Sequence, residues 1–245
     1  MIQQPYDKPP ITEAIIDIGF ASQHDERKLS KAVAKLEKSY VNRRETTRQQ
    51  VDIDVVTGES SIKTGHVPNT HQFSSIDMTQ LLTIEPSHFI LSQLAPYPGW
   101  DEFLGRFKRD WASFKDKMGF NEISRIGVRY INRLDIPISG PTIEQGQYLN
   151  IFPKLPPEIV NIEAYAIQVV RSETDIKCRL QMNSANMPSP IANHISFLVD
   201  QDIIRQVDVP QSDEDIFDLL DAIRLKKNSI FESCITNKSR ELFNG

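Results

Sequence analysis

The stretch Ile123–Pro137, ISRIGVRYINRLDIP, constrains this chain more than any other. Its even positions Ile126, Val128, Tyr130, Leu134 and Ile136 are apolar, and only Asn132 breaks the row. The odd positions carry Arg125, Gly127, Arg129, Arg133 and Asp135. Alternation with a period of two specifies a strand with one face in a core and the other toward water. The spacing of four sets Arg125, Arg129 and Arg133 on one side, roughly 13 Å between successive members at about 3.3 Å per residue.

Other elements can be arranged around this strand. Pro9 and Pro10 force an extended lead-in. Residues 12–20 alternate, with Ala14, Ile16, Ile18 and Phe20 on one side. Residues 25–40 have helical spacing at Leu29, Val33, Leu36 and Tyr40. Residues 46–56 alternate again through Val51, Ile53 and Val55, and the polar 57–70, with two glycines and a proline, read as a loop. Residues 72–85 and 87–94 read as two strands broken at Pro86. The clearest helix carries Trp100, Phe103, Leu104, Phe107, Trp111, Phe114 and Met118 on one face and stops at Gly119. Each of these large side chains contributes on the order of 1.5–3 kcal/mol when buried.

Residues 139–160 are rich in Gly and Pro and read as a connection with one short helix. Residues 162–171, 176–182 and 194–207 read as three antiparallel strands, with 183–193 a longer polar loop. Ser212 caps a last helix with Asp213, Glu214 and Asp215 in its first turn. Its apolar stripe is Ile216, Leu219, Leu220, Ile223, Ile230, Phe231 and Ile235, followed by a short charged tail. The expected fold is α+β: a curved antiparallel sheet with long helices on one face. Residues 1–245 form a single domain in this reading, and the order of elements suggests pseudo-repeats at 1–120 and 121–245. That arrangement resembles saddle and helix-grip architectures, an analogy that says nothing about function.

Composition narrows the function classes. The 245 residues carry a formal net charge of −5, which argues against a general nucleic-acid or membrane coat. No apolar run approaches the ~18–20 residues that span a bilayer, and the opening MIQQPYDKPP lacks the features of a signal peptide. Cys178 and Cys234 stand without CxxC spacing, so both are expected to be reduced core thiols in a cytoplasmic protein. There is no Walker loop, GxGxxG or GxSxG, and the five histidines show no metal-binding spacing. No catalytic residue, metal or cofactor is assigned.

Three segments together resemble one family: the opening Tyr6-x-x-Pro9-Pro10-Ile11-x-Glu13-Ala14, the run Tyr97-Pro98-Gly99-Trp100, and Arg125-Ile126-Gly127-x-Arg129-Tyr130-Ile131-Asn132-Arg133. The closing Ile230-Phe231-Glu232-x-x-Ile235-Thr236 fits as well. The chain is similar over essentially its whole length to a sporadically distributed, functionally uncharacterised family of bacterial proteins. The resemblance implies a patchily inherited gene, as mobile and defence-associated genes often are, and supplies no catalytic residues.

The candidate ligand- or partner-binding residues are Arg125, Arg129, Asn132 and Arg133, extended by Lys177 and Arg179 on a neighbouring strand. Arginine offers a fixed fork of donors to phosphate, carboxylate or an acidic protein surface. The competing reading is a solvated sheet face, its arginines paired with Glu163, Asp52 or Asp54. Gly127 marks a bulge or a close approach. Asn132 is either a core amide or a pocket group. Asp52/Asp54 and Asp200/Asp202 have the spacing of carboxylate pairs, a weak metal-hydrolase signal without a partnering His. Arg43, Arg44 and Arg48, at the exit of the basic helix 27–48, are the nucleic-acid candidates. The leading expectation is a non-enzymatic module that binds a protein partner or a second copy of itself, antitoxin-like, immunity-like or accessory in a bacterial defence system. A small-ligand or nucleotide site on the arginine strand, and nucleic-acid binding through the basic helix, are the alternatives.

Overall fold

The structure is a computed structural model describing residues 6–56, 59–138, 144–156, 158–159 and 163–244, with the backbone alone described over 47–68. Nine strands and four helices occur among the described residues. In chain order they are β1 (Ile11–Phe20), α1 (Glu26–Leu36), β2 (Asn42–Val56), β3 (Glu59–Ser74), β4 (Gln80–Glu85) and β5 (His88–Leu94). Next come α2 (Trp100–Met118), β6 (Ile123–Pro137), β7 (Ala166–Glu173), β8 (Cys178–Pro188), β9 (His194–Arg205), α3 (Asp213–Cys234) and α4 (Asn237–Phe243). The fold is α+β, with an open antiparallel sheet in the order β2-β3-β4-β5-β1-β6-β9-β8-β7. Among the described residues no helix is long and apolar enough to cross a membrane.

The chain divides into two compact units. One comprises Asp17–Gln93 with Pro98–Ser124; the other comprises Met1–Ile16, Leu94–Tyr97 and Arg125–Gly245.

In the first unit, Asp25 caps α1 by accepting from the Lys28 amide at 2.9 Å, which satisfies one of the amides a helix start leaves open. Leu29, Ala32, Val33 and Leu36 form its buried stripe. The helix ends at Leu36 and passes into a 3₁₀ turn, Glu37–Ser39. Arg43, Arg44 and Arg48 therefore lie on strand β2 rather than at a helix exit. Helix α2 buries the predicted aromatic face; Phe107 and Trp111 stack at 5.9 Å, and Phe89 of β5 meets Trp111 edge-on at 5.5 Å. Gly119 ends the helix at φ 71°, a conformation that favours glycine.

Two expectations fail in this unit. Residues 59–70 are strand, paired with β2 from Val56↔Glu59 onward. The polar sequence concealed this because ladder hydrogen bonds need no apolar side chain, and Pro68 falls where the register shifts between Thr46 and Arg48, a position a strand proline tolerates. The run 72–85 is also interrupted, by a turn at Ser75–Thr79. There Asp77 accepts from the Thr79 amide at 3.2 Å and Met78 takes φ 59°.

In the second unit β6 pairs with β9 without a register break from Ile126↔Arg205 to Pro137↔His194. Strand β8 pairs β9 on one side and β7 on the other. The expected loop 183–193 is strand as far as Pro188, since Asn183↔Asp200 through Pro188↔Ile195 continue the ladder. Strand β7 starts at Ala166, later than expected, and the 162 end of that expectation lies outside the described residues. The connection contains a 3₁₀ turn at Gln145–Gln147, and the charged tail forms the short helix α4. Ser212 caps α3, accepting from the Asp215 amide at 3.1 Å. The buried face of α3 is Ile216, Leu220, Ile223, Lys227, Ile230, Phe231 and Cys234.

Candidate functional site

The arginine row occupies the face of β6 opposite Tyr130, and each member faces a carboxylate. Arg129 grips Asp200 of β9 bidentately, Nε to Oδ1 and Nη2 to Oδ2 both at 2.8 Å. Asp200 is buried, accepts in addition from Asn183 Nδ2 at 3.0 Å, and holds the Arg129 guanidinium pKa above its ordinary value. Arg125 Nη2 lies 3.8 Å from Asp202 Oδ2, and Arg133 Nε reaches the Asp135 carboxylate at 3.2 Å. Among the described residues the partners are Asp200, Asp202 and Asp135 rather than the expected Glu163; the side chains of Asp52 and Asp54 lie outside the described residues. Gly127 marks a close approach and no bulge: a Cβ there would stand 2.7 Å from the Arg125 guanidinium, which folds across it. The pair Asp200/Asp202 faces arginines, and no cluster suited to a metal ion occurs among the described residues.

Apart from Arg179, the remaining predicted residues do not join this row. Asn132 lies on the other face of β6, buried, with Nδ2 donating to the Val199 carbonyl at 3.0 Å. Lys177 sits in the turn before β8 at φ 48°, its Nζ 3.0 Å from Asp208 Oδ2. Arg179 is exposed on β8 and lies on the face of the row, opposite Ile204, which in turn pairs Gly127 between Arg125 and Arg129. In the first unit Arg43 is paired with Glu37 at 3.3 Å and Glu45 at 3.2 Å, while Arg44 is exposed and the Arg48 side chain lies outside the described residues. Both thiols are buried; burial pushes Cys178 up to about 11 and raises Cys234 as well, which leaves neither a ready nucleophile.

A second constellation, which the strand pattern did not reveal, lies on the Tyr130 face. Tyr130 is 1% exposed, and its hydroxyl meets that of Tyr97 at 3.0 Å. Burial, and then Tyr97, raise the Tyr130 hydroxyl pKa well above its ordinary value. The Lys227 ammonium of α3 stands 3.6 Å from the centre of the Tyr130 ring, a cation–π contact in a desolvated setting. Burial, reinforced by Arg224, brings the Lys227 pKa down to about 7. Directly opposite Tyr130 in the β6–β9 ladder is Gln201, wholly buried, with no partner for either amide atom among the described residues. The sequence did carry a signal: positions 216, 220, 223, 227, 230 and 234 step by four and three along one helix face, and only 227 is charged.

Compared with protein-family models and with curated proteins, the chain matches none of them.

Proposed function

We propose that this chain is a non-enzymatic protein-binding module that receives an extended segment of a partner along β7. The observation that carries this reading is that, among the described residues, β7, eight residues long, pairs only with β8 and stands last in the strand order. An edge strand offers a row of main-chain donors and acceptors to an added strand, and side chains beside it supply selectivity. Val169 and Val170, 37% and 42% exposed, provide apolar contacts on its two faces. The arginine row supports the same reading, because its charges are matched by aspartates and leave little net attraction for phosphate. The family resemblance extends the proposal to an accessory or immunity-like subunit of a bacterial defence system.

The test is affinity capture from cells that carry the gene, run in parallel with Val169→Lys/Val170→Lys. A stoichiometric protein partner captured by the natural chain and lost in the variant is the expected result. Equal capture by both overturns docking on β7. Self-association of the purified chain, abolished by the same variant, would put a second copy in the partner's place.

A further inference from the structure

We infer that the interior of the second unit between α3 and strands β6 and β9 binds a small ligand through its carboxylate, received by the Lys227 ammonium and the Gln201 side-chain amide. Lys227 occupies the middle of the buried face of α3 at 8% exposure, yet makes no hydrogen bond or ion pair with any described residue. Gln201 is 0% exposed, and neither its Nε2 nor its Oε1 has a partner among the described residues. Both groups border Tyr130: Gln201 lies directly opposite it across β6 and β9 on the same face of the sheet, and the Lys227 ammonium stands over its ring.

The neighbouring polar groups sharpen the contrast. Ser184 donates to the Ile151 carbonyl at 3.3 Å, Ser239 to the Tyr148 carbonyl at 2.6 Å, and Asn132 to Val199. Among the described residues of this unit, the amide atoms of Gln201 are the only fully buried side-chain nitrogen and oxygen atoms without a partner. Buried polar groups are ordinarily satisfied, so orphaned groups at one locus mark the place of a missing partner.

The chemistry of that partner follows from the groups. Lys227 and Gln201 Nε2 are donors, and Arg224, one turn before Lys227, adds positive potential. Glu232, which acts on Lys227 from a distance, is already bonded to Tyr6 at 2.7 Å and Arg240 at 2.9 Å. A monoanion matches one ammonium; a phosphate dianion would remain undercompensated beside Val128, Val199, Ile203 and Ile223, all nearly inaccessible to solvent. A planar carboxylate also accepts from two donors side by side. This site uses no residue of β7, so it stands or falls independently of the docking proposal.

The experiment is calorimetric titration of the full chain with acetate, pyruvate, benzoate and succinate, against chloride at equal ionic strength, with Lys227→Met and Gln201→Leu alongside. Both variants replace a buried polar group by an apolar one of similar size, and circular dichroism confirms that they fold. One-to-one binding of a carboxylate, weakened at least about tenfold in each variant, is the expected result, since a charge-assisted hydrogen bond is involved. Affinity should also fall by about tenfold per unit above pH 7, as Lys227 sheds its proton near Arg224, Glu232, Tyr130 and Tyr97. Amide nuclear magnetic resonance gives a second readout, in which the Gln201 side-chain signals move on addition of the same acid. Absence of binding by every acid, binding unaltered in Lys227→Met, or preference for inorganic phosphate would overturn the assignment.

Discussion

The two units each place one cation in the buried face of a long helix, and they treat it in opposite ways. In the first unit Arg106 of α2, 6% exposed, donates to the carbonyls of Ser92 at 2.5 Å and Leu81 at 3.3 Å. It also reaches Gln93 Oε1 and Tyr40 Oη at 3.4 Å each. Tyr40 in turn donates to the buried Asp110 at 2.6 Å, and Arg109 grips the same carboxylate at 2.8 and 3.0 Å. This network is closed. In the second unit Lys227 has the Tyr130 ring beneath it and no hydrogen-bond acceptor among the described residues, and the amide of Gln201, across the ladder from Tyr130, is likewise without a partner among them. Burial of charge is common to both sites, whereas unmatched burial belongs to one, and only the unmatched case calls for something from outside the chain.

The largest effect expected from this contrast is on stability. Arg106→Leu leaves several buried acceptors bare and should destabilise the fold by roughly 3–5 kcal/mol. Lys227→Met should be neutral, or stabilising by about 1–3 kcal/mol, since it removes an uncompensated charge. Urea unfolding with an unchanged slope measures both; equal losses would erase the distinction.

The pH dependence sharpens the same comparison, because each unit holds a cationic group whose folded pKa burial depresses strongly, with His71 of the first unit shifted the same way as His24. His24 packs edge-on against Phe20 at 4.8 Å and Phe114 at 5.3 Å, and burial brings it down to about 4. The unfolded chain therefore binds its proton first, and stability falls by up to about 1.4 kcal/mol per unit as pH drops from 6.5 toward 4. Lys227 works by the same sign in a higher window. Stability rises with pH from about 7 toward 10, up to about the same slope, as the unfolded lysine alone stays protonated. The buried hydroxyls of Tyr40 and Tyr130, both raised in pKa, reverse the trend beyond pH 10. His24→Phe should make the acid limb shallower, leaving the His71 contribution, and Lys227→Met should flatten the alkaline one. Thermal melts across pH check this; an exchange of the two assignments would refute the scheme.

The smallest effect tests the matched arginines. Gly127→Ala forces the Arg125 guanidinium off its seat and loosens its 3.8 Å contact with Asp202, at a cost of about 0.5–1 kcal/mol with no change in fold. A cost above about 3 kcal/mol would mean that the backbone, and not one flexible side chain, must yield.

Much of this was legible in the chain because period fixes face. The strand at Ile123–Pro137 and the helix at Trp100–Met118 were readable to the residue or nearly so. What escaped notice were features that periodicity does not encode. Strand β3 and the second half of β8 are polar and held by ladders whose partners lie elsewhere. The identity of the arginine partners depends on the β6–β9 register, which joins residues 71 apart. Asn132 never shared a face with the arginines, as its even position already implied. Lys227 went unseen because a stripe read only from its apolar members omits the charged residue that completes it.

The chain of side-chain contacts from Arg129 through Asp200 and Asn183 to Gln168 has a consequence for the order of assembly. It runs across β6, β9, β8 and β7, with the strand synthesised first holding hands with the one synthesised last. At about 5–20 residues per second on the ribosome, β6 waits on the order of several seconds for β9 to emerge. A strand left half-paired for that time is exposed to other nascent chains, and charged residues along its outer row discourage such pairing. The arginines that tie β6 to β9 are thus also charges that discourage stray pairing of β6, the first of these four strands, until β9 arrives.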